Sequence, residues 1–323
     1  MTDPTTLEPG IRAWLARIAE LDTELPAVDS LDFAARRDRE RRLSDRLAAE
    51  FSRPVDPGAR IEETEIAGRY AHRIRPRGSG GPLPTQLFLH GGGFVSGTAR
   101  ELANDSVLSE RSVAAGVQII SIDYRLAPEH PYPAAVDDAL AVLDALADDP
   151  VRWGADADRL GVGGGSAGGH VAAVACLRLR ERERAGEGGA RLIHALLEVP
   201  ALDLTADWPS VAEFASPGEI EGAQAVAAAY RGTGPVDDWF APVRVDDLSG
   251  LPRTLVMTAE FDPLRDAAEG YARRLAAAGV DAELRRGIGQ LHGTQGLTAA
   301  VASTQRWQDA AIAELRLGYA AGR

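Results

Sequence analysis

Short apolar runs alternate with amphipathic segments along most of this 323-residue chain, and that rhythm restricts the architecture more than any other feature. Extended runs at 86–89, 117–122, 160–163, 193–199, 254–258 and 282–286 are separated by patterns of helical period at 134–147, 167–183 and 265–278. A strand that recurs after each helix has room to pair in parallel with its predecessor, and its near-continuous apolar character means burial on both faces. The sequence therefore predicts an α/β fold, a mostly parallel central sheet with helices on both faces. An earlier extended stretch at 61–75 leads into it, with His72 in an expected edge strand.

Two segments interrupt the rhythm. Residues 7–50 carry two helical patterns, with Ile11, Leu15 and Ile18 in the first and Leu43, Leu47 and Phe51 closing the second, and they precede the sheet. Residues 204–248 hold Trp208, Phe214, a glycine-punctuated helix at 218–231 and Trp239-Phe240. Both are expected to cover the mouth of a site as a small helical cap. The domain boundaries that follow are 1–55 for an N-terminal cap segment, 56–203 with 246–323 for the core, and 204–245 for a cap insertion.

Charge narrows the partners. A net charge of −13, spread along the chain, disfavours nucleic acid. All 35 basic residues are arginine, which removes Schiff-base lysine chemistry and the P-loop lysine. The one cysteine, Cys176, follows an apolar run and reads as a packed core thiol. The first residues lack the pattern of a signal peptide and no apolar run is long enough to span a bilayer, so a cytoplasmic location is expected.

The chemistry is carried by spacing and context. Gly164-Gly165-Ser166-Ala167-Gly168 stands between a predicted strand and a predicted helix. A serine on so sharp a turn needs small neighbours, and the helix that starts there aims N–H groups at the place where charge develops. His90-Gly91-Gly92-Gly93 follows another strand and exposes consecutive amides that suit an oxyanion. Such a serine requires a base, and the base an orienting carboxylate, in the order serine, acid, histidine. Carboxylates Glu260, Asp262 and Asp266 follow the run at 254–258, and His292 follows the next strand.

These blocks, with Asp123-Tyr124-Arg125-Leu126-Ala127-Pro128-Glu129-His130-Pro131 between them, resemble the bacterial hormone-sensitive-lipase-like carboxylesterases over residues 85 to 293. The resemblance implies an α/β-hydrolase fold and a serine esterase with Ser166 as nucleophile, Asp262 as acid and His292 as base. It implies Gly92, Gly93 and Ala167 as oxyanion donors, with Gly91 sharing that role, and an Arg125–Glu129 pair near the site. No cofactor or metal is called for, the expected partner is a small-molecule ester of small to medium acyl chain, and a homodimer is consistent with the resemblance. Three positions depart from the family pattern: Gly165 in place of an acidic residue, Glu198-Val199 before Pro200, and Thr294-Gln295 in place of an aromatic residue. A biosynthetic acyltransferase or lyase is the alternative that the last departure leaves open. A non-catalytic ligand-binding receptor is the other alternative, and the complete triad argues against it.

Overall fold

The computed structural model describes residues 6–28, 32–205 and 207–320, so residues 1–5, 29–31, 206 and 321–323 of the expected segments lie outside the description. Eight strands form one sheet: β1 (Ala59–Ile66), β2 (Arg69–Pro76), β3 (Leu83–Leu89), β4 (Gln118–Ile122), β5 (Ala155–Gly165), β6 (Leu192–Glu198), β7 (Arg253–Phe261) and β8 (Ala282–Leu291). Their order is β1-β2-β4-β3-β5-β6-β7-β8, and only β2 runs against its neighbours. The stretch at 61–75 is thus a hairpin, turned at Ala67-Gly68 with both φ positive. His72 lies on β2, paired on both sides, and is not at an edge.

Ten helices accompany the sheet among the described residues: α1 (Pro9–Glu24), α2 (Phe33–Phe51), α3 (Leu102–Ala115), α4 (Ala134–Asp148), α5 (Pro150–Trp153), α6 (Ala167–Arg184), α7 (Pro209–Phe214), α8 (Pro217–Arg231), α9 (Arg265–Ala277) and α10 (Ala302–Ala320). Helices α4, α6 and α9 pack against one face with a large apolar cluster around Leu87, Val162, Val171, Leu197 and Val256. Helices α3 and α10 cover the other, where Ile74, Ile119, Leu255, Trp307 and Leu315 are buried. Each such Leu, Ile or Val removed from water contributes about 1.5–3 kcal/mol, which holds the sheet between its two helix layers. Cys176 is buried on α6, as its apolar context indicated.

Helices α3 and α10 are absent from the sequence-based expectation, for different reasons. Helix α3 buries Val107 and Leu108 among Ser106, Ser109, Arg111 and Ser112, so it gives no continuous apolar stripe. In α10, Trp307, Ala311, Leu315 and Tyr319 recur every four residues, a period that was there to be read. The N-terminal helices form their own cluster with Leu297 and Val301. Glu8, just before α1, accepts bonds from the Ala302 and Ser303 amides at 3.0 and 3.1 Å and so caps α10.

Candidate active site

The site is built where β5 ends. Pairing in register with both β3 and β6 up to Gly164 and Gly165 carries the strand to the top of the sheet, and the chain then reverses into α6 at Ser166. Ser166 has φ 54° and ψ −115°, a conformation costing a non-glycine residue about 1–3 kcal/mol. Three backbone hydrogen bonds oppose that cost: Ser166 N–H to the Glu198 carbonyl at 2.8 Å, and His170 and Ala201 N–H to the Ser166 carbonyl at 3.1 Å each. Gly164 and Gly168 have no alternative here, since a Cβ on either would meet the Leu89 carbonyl. Gly165 differs. A Cβ built there meets nothing within 4 Å, so glycine at this departure from the family pattern is sterically optional.

His292 Nε2 stands 3.0 Å from Ser166 Oγ, and its Nδ1 stands 2.8 Å from Asp262 Oδ2. Asp262 is buried, and its other oxygen, Oδ1, accepts the Leu264 N–H at 2.8 Å. The rival carboxylates are engaged elsewhere: Glu260 accepts the Gly289 amide, and Asp266 accepts the Ser210 amide and pairs with Arg265. Burial alone would depress the His292 pKa, but the charge and hydrogen bond of Asp262 outweigh it and hold the imidazole above its ordinary value. Of the other histidines, His72 bonds Asp105, His90 bonds the Gly91 carbonyl, and His194 bonds Glu314. His170 Nδ1 meets the Ala201 carbonyl, and burial pushes its pKa down to about 4.

Gly91, Gly92, Gly93 and Ala167 all line the cavity above Ser166. Gly92 and Gly93 have φ of 116° and 60°, and among the described residues the N–H groups of Gly92, Gly93 and Ala167 donate to no protein acceptor. The loop is braced from behind by the Gly92 carbonyl, which accepts from the Ser96 N–H and Oγ, each at 2.9 Å. Phe94 stacks on Tyr230 with ring centres 3.7 Å apart, and Tyr124 Oη donates to the His90 carbonyl.

The cavity measures about 680 Å³. Glu40 and Ser44 of α2 and Ala223 and Val226 of α8 lie on its wall. Arg37 ties α2 down: its guanidinium donates to the Val95 and Ala127 carbonyls at 2.7 and 2.8 Å and to both Glu129 oxygens. The expected Arg125–Glu129 pair does not form. Arg125 instead binds Asp138 through Nε and its own backbone N–H, because Asp138 on α4 lies closer to it than the loop carboxylate that Arg37 has taken.

Sequence reasoning did not anticipate the polar wall. Arg111 of α3, 1% exposed, forms a two-pronged pair with Glu198 at 2.6 and 2.7 Å. Trp307 Nε1 donates to the same carboxylate at 2.6 Å. Burial would raise the Glu198 pKa, but Arg111 and Trp307 together hold it below the usual carboxylate value. Glu101, also on the wall, is pushed up to about 7, chiefly by burial. Among the described residues no cluster of histidine, cysteine and carboxylates could hold a metal ion, and no helix is long and apolar enough to cross a membrane.

A family model described as the alpha/beta hydrolase fold matches residues 86–296. The chain is 34% identical over 308 residues to "Carboxylesterase NlhH" of Mycobacterium tuberculosis, covering 91% of each protein. It is 37% identical over 240 residues to "Esterase LipI" of the same organism, 72% of each. Among solved structures it resembles one titled "Bacterial Heroin Esterase" with a TM-score of 0.82, 32% identity and 98% coverage of both chains.

Proposed function

Because the chain belongs to the hormone-sensitive-lipase-like carboxylesterase family of α/β-hydrolases, we propose that it hydrolyses carboxylic esters with Ser166 as nucleophile, His292 as base and Asp262 as orienting acid. The chain is a serine carboxylic-ester hydrolase; the residue roles, the acyl-enzyme and the small to medium acyl range are our reading. What carries it is the unbroken hydrogen-bonded line from Ser166 Oγ through His292 to buried Asp262 at the base of the cavity.

In this mechanism His292 Nε2 takes the Ser166 proton as Oγ adds to the ester carbonyl. The N–H groups of Gly92, Gly93 and Ala167, with Gly91 sharing the role, hold the oxyanion, each donor contributing about 3 kcal/mol in the transition state. The tetrahedral species collapses, the C–O bond to the alcohol breaks, and His292 returns the proton to the departing oxygen. Water then gives a proton to His292 and adds to the acyl-enzyme. Collapse releases the acid and restores Ser166. Asp262 accepts from His292 Nδ1–H and holds that tautomer throughout. Helices α1 and α2 and the segment 204–245 act as the cap. The cavity's size favours small to medium acyl groups. The same reading carries a cytoplasmic location and a homodimer, which cell fractionation and the mass in solution would check.

The direct test is Ser166→Ala with p-nitrophenyl acetate and butyrate. Activity should disappear, and a fluorophosphonate probe should label the parent but not the variant. Hydrolysis near the parental rate by Ser166→Ala would remove the assignment.

A further inference from the structure

Two of the departures from the family pattern, far apart in sequence, meet on one wall of the cavity. Glu198 ends β6, Gln295 follows the base His292, and both line the cavity together with Asn104 and Arg111 of α3. A hydrogen-bonded chain joins them: Arg111 Nε donates to Gln308 Oε1 at 2.8 Å, and Gln308 Nε2 donates to the Gln295 carbonyl at 3.0 Å. Towards α8 the lining is apolar, with Leu204, Ala223 and Val226. The cavity therefore has one greasy side and one that is polar and built from buried groups.

The balance of donors and acceptors on the polar side is uneven. Arg111 uses Nε on Gln308 and one hydrogen from each Nη on Glu198, which leaves one N–H on each Nη without an acceptor among the described residues. The Nε2 of Gln295 is buried and has no partner there either. Glu198 already accepts three bonds, from Arg111 and Trp307 at Oε1 and from Arg111 at Oε2. A buried donor without an acceptor is costly, and Arg111 lines the cavity, where an oxygen of the occupant can accept from its free N–H groups. The Arg111–Glu198 pair is neutral as a unit, and Glu40 and Glu101 face the same cavity, so an anion is the wrong occupant.

We propose that this wall is a subsite for a neutral hydrogen-bond acceptor, an ether, hydroxyl or carbonyl oxygen, carried by the ester itself. The preferred substrates are then esters of oxygen-bearing chains over plain hydrocarbon chains of the same shape. This rests on the esterase reading of the same site. It is tested with two isosteric pairs, p-nitrophenyl methoxyacetate against p-nitrophenyl butyrate for the acyl side, and 2-methoxyethyl acetate against butyl acetate for the alcohol side. Each kcat/KM ratio is divided by the ratio of the hydroxide-catalysed rates.

The parent should prefer the oxygen-bearing member of at least one pair by about tenfold, the discrimination expected of a hydrogen bond made in a dry site. Gln295→Leu removes the unpaired amide, and the charge-free double variant Arg111→Leu/Glu198→Leu removes the guanidinium. Loss of the preference in either variant, with a melting transition that shows it is folded, supports the subsite. Ratios near one for both pairs in the parent, or a preference that survives both variants, would overturn it. If Ser166→Ala kept the butyrate activity, the esterase reading would fall first; Ser166-dependent hydrolysis without the preference sinks the subsite alone.

Discussion

Replacing Asp262 with asparagine tests the site at the atom where its logic is most exposed. Asp262 Oδ1 is held by the Leu264 N–H at 2.8 Å, and Oδ2 faces His292 Nδ1 at the same distance. An asparagine must keep its oxygen toward Leu264, because an N–H cannot donate to another donor, so its NH₂ turns to His292. Nδ1 is then forced to accept, and the ring proton moves to Nε2, which can no longer take the proton of Ser166 Oγ. The wrong tautomer in a serine triad costs a factor of about 10⁴ in kcat, or about 5.5 kcal/mol. The pH profile should move as well. The imidazole must be neutral to act as base, and with the carboxylate gone the burial that disfavours imidazolium acts unopposed, so the acid limb shifts to lower pH. The assay is kcat and kcat/KM for p-nitrophenyl acetate from pH 5 to 9, with a melting curve to show that the variant is folded. A rate within about tenfold of the parent, together with an unmoved limb, would refute this account of Asp262.

Two glycines of one motif should answer differently to substitution. Gly168→Ala drives a methyl into the Leu89 carbonyl and should depress both expression and activity, whereas Gly165→Asp has open space and should leave the melting temperature unchanged and the rate within a few-fold; thermal melts and p-nitrophenyl butyrate turnover distinguish them. Glu198→Gln strands Arg111 without its counter-charge and should cost about 3–5 kcal/mol. At roughly 2.1 cal/mol/K per residue over this chain, that is a drop of about 4–7 °C in Tm near neutral pH. Glu198 is held below its ordinary value of 4.5, so its contribution is complete above that pH and fades as pH falls through the lower folded value. The parent and the variant should therefore converge in acid, and a constant gap would contradict the pairing.

The sheet, the Ser166 turn and the place of His292 after a strand could be read from the chain because their signals are local, whereas the choice of Asp262 over Glu260 and Asp266 rests on the family resemblance. Parallel strands buried on both faces are apolar runs, and a nucleophile on a tight turn needs glycines beside it. What escaped depends on partners distant in sequence. Arg111 sits on a helix whose buried residues mix serines with Val107 and Leu108, and its partner Glu198 ends a distant strand, so neither periodicity nor spacing marks it. Arg125 and Glu129 illustrate the opposite error: the family resemblance implied a pair, and Asp138 and Arg37 claimed them from α4 and α2. Leu264 holds Asp262 through its backbone N–H, a role that no side-chain pattern can announce.

The anchoring of α2 by Arg37 has a consequence for how such an enzyme can evolve. The carbonyl it grips, Val95, lies two residues beyond Gly93, so the helix on the cavity wall and the glycine loop proposed to hold the oxyanion share one fastener. A change that loosens α2 to admit a bulkier ester also frees the segment next to Gly93. Breadth of substrate and stabilisation of the developing charge then trade against each other, and variants that gain size at the mouth are expected to lose kcat unless something else takes over the grip on Val95.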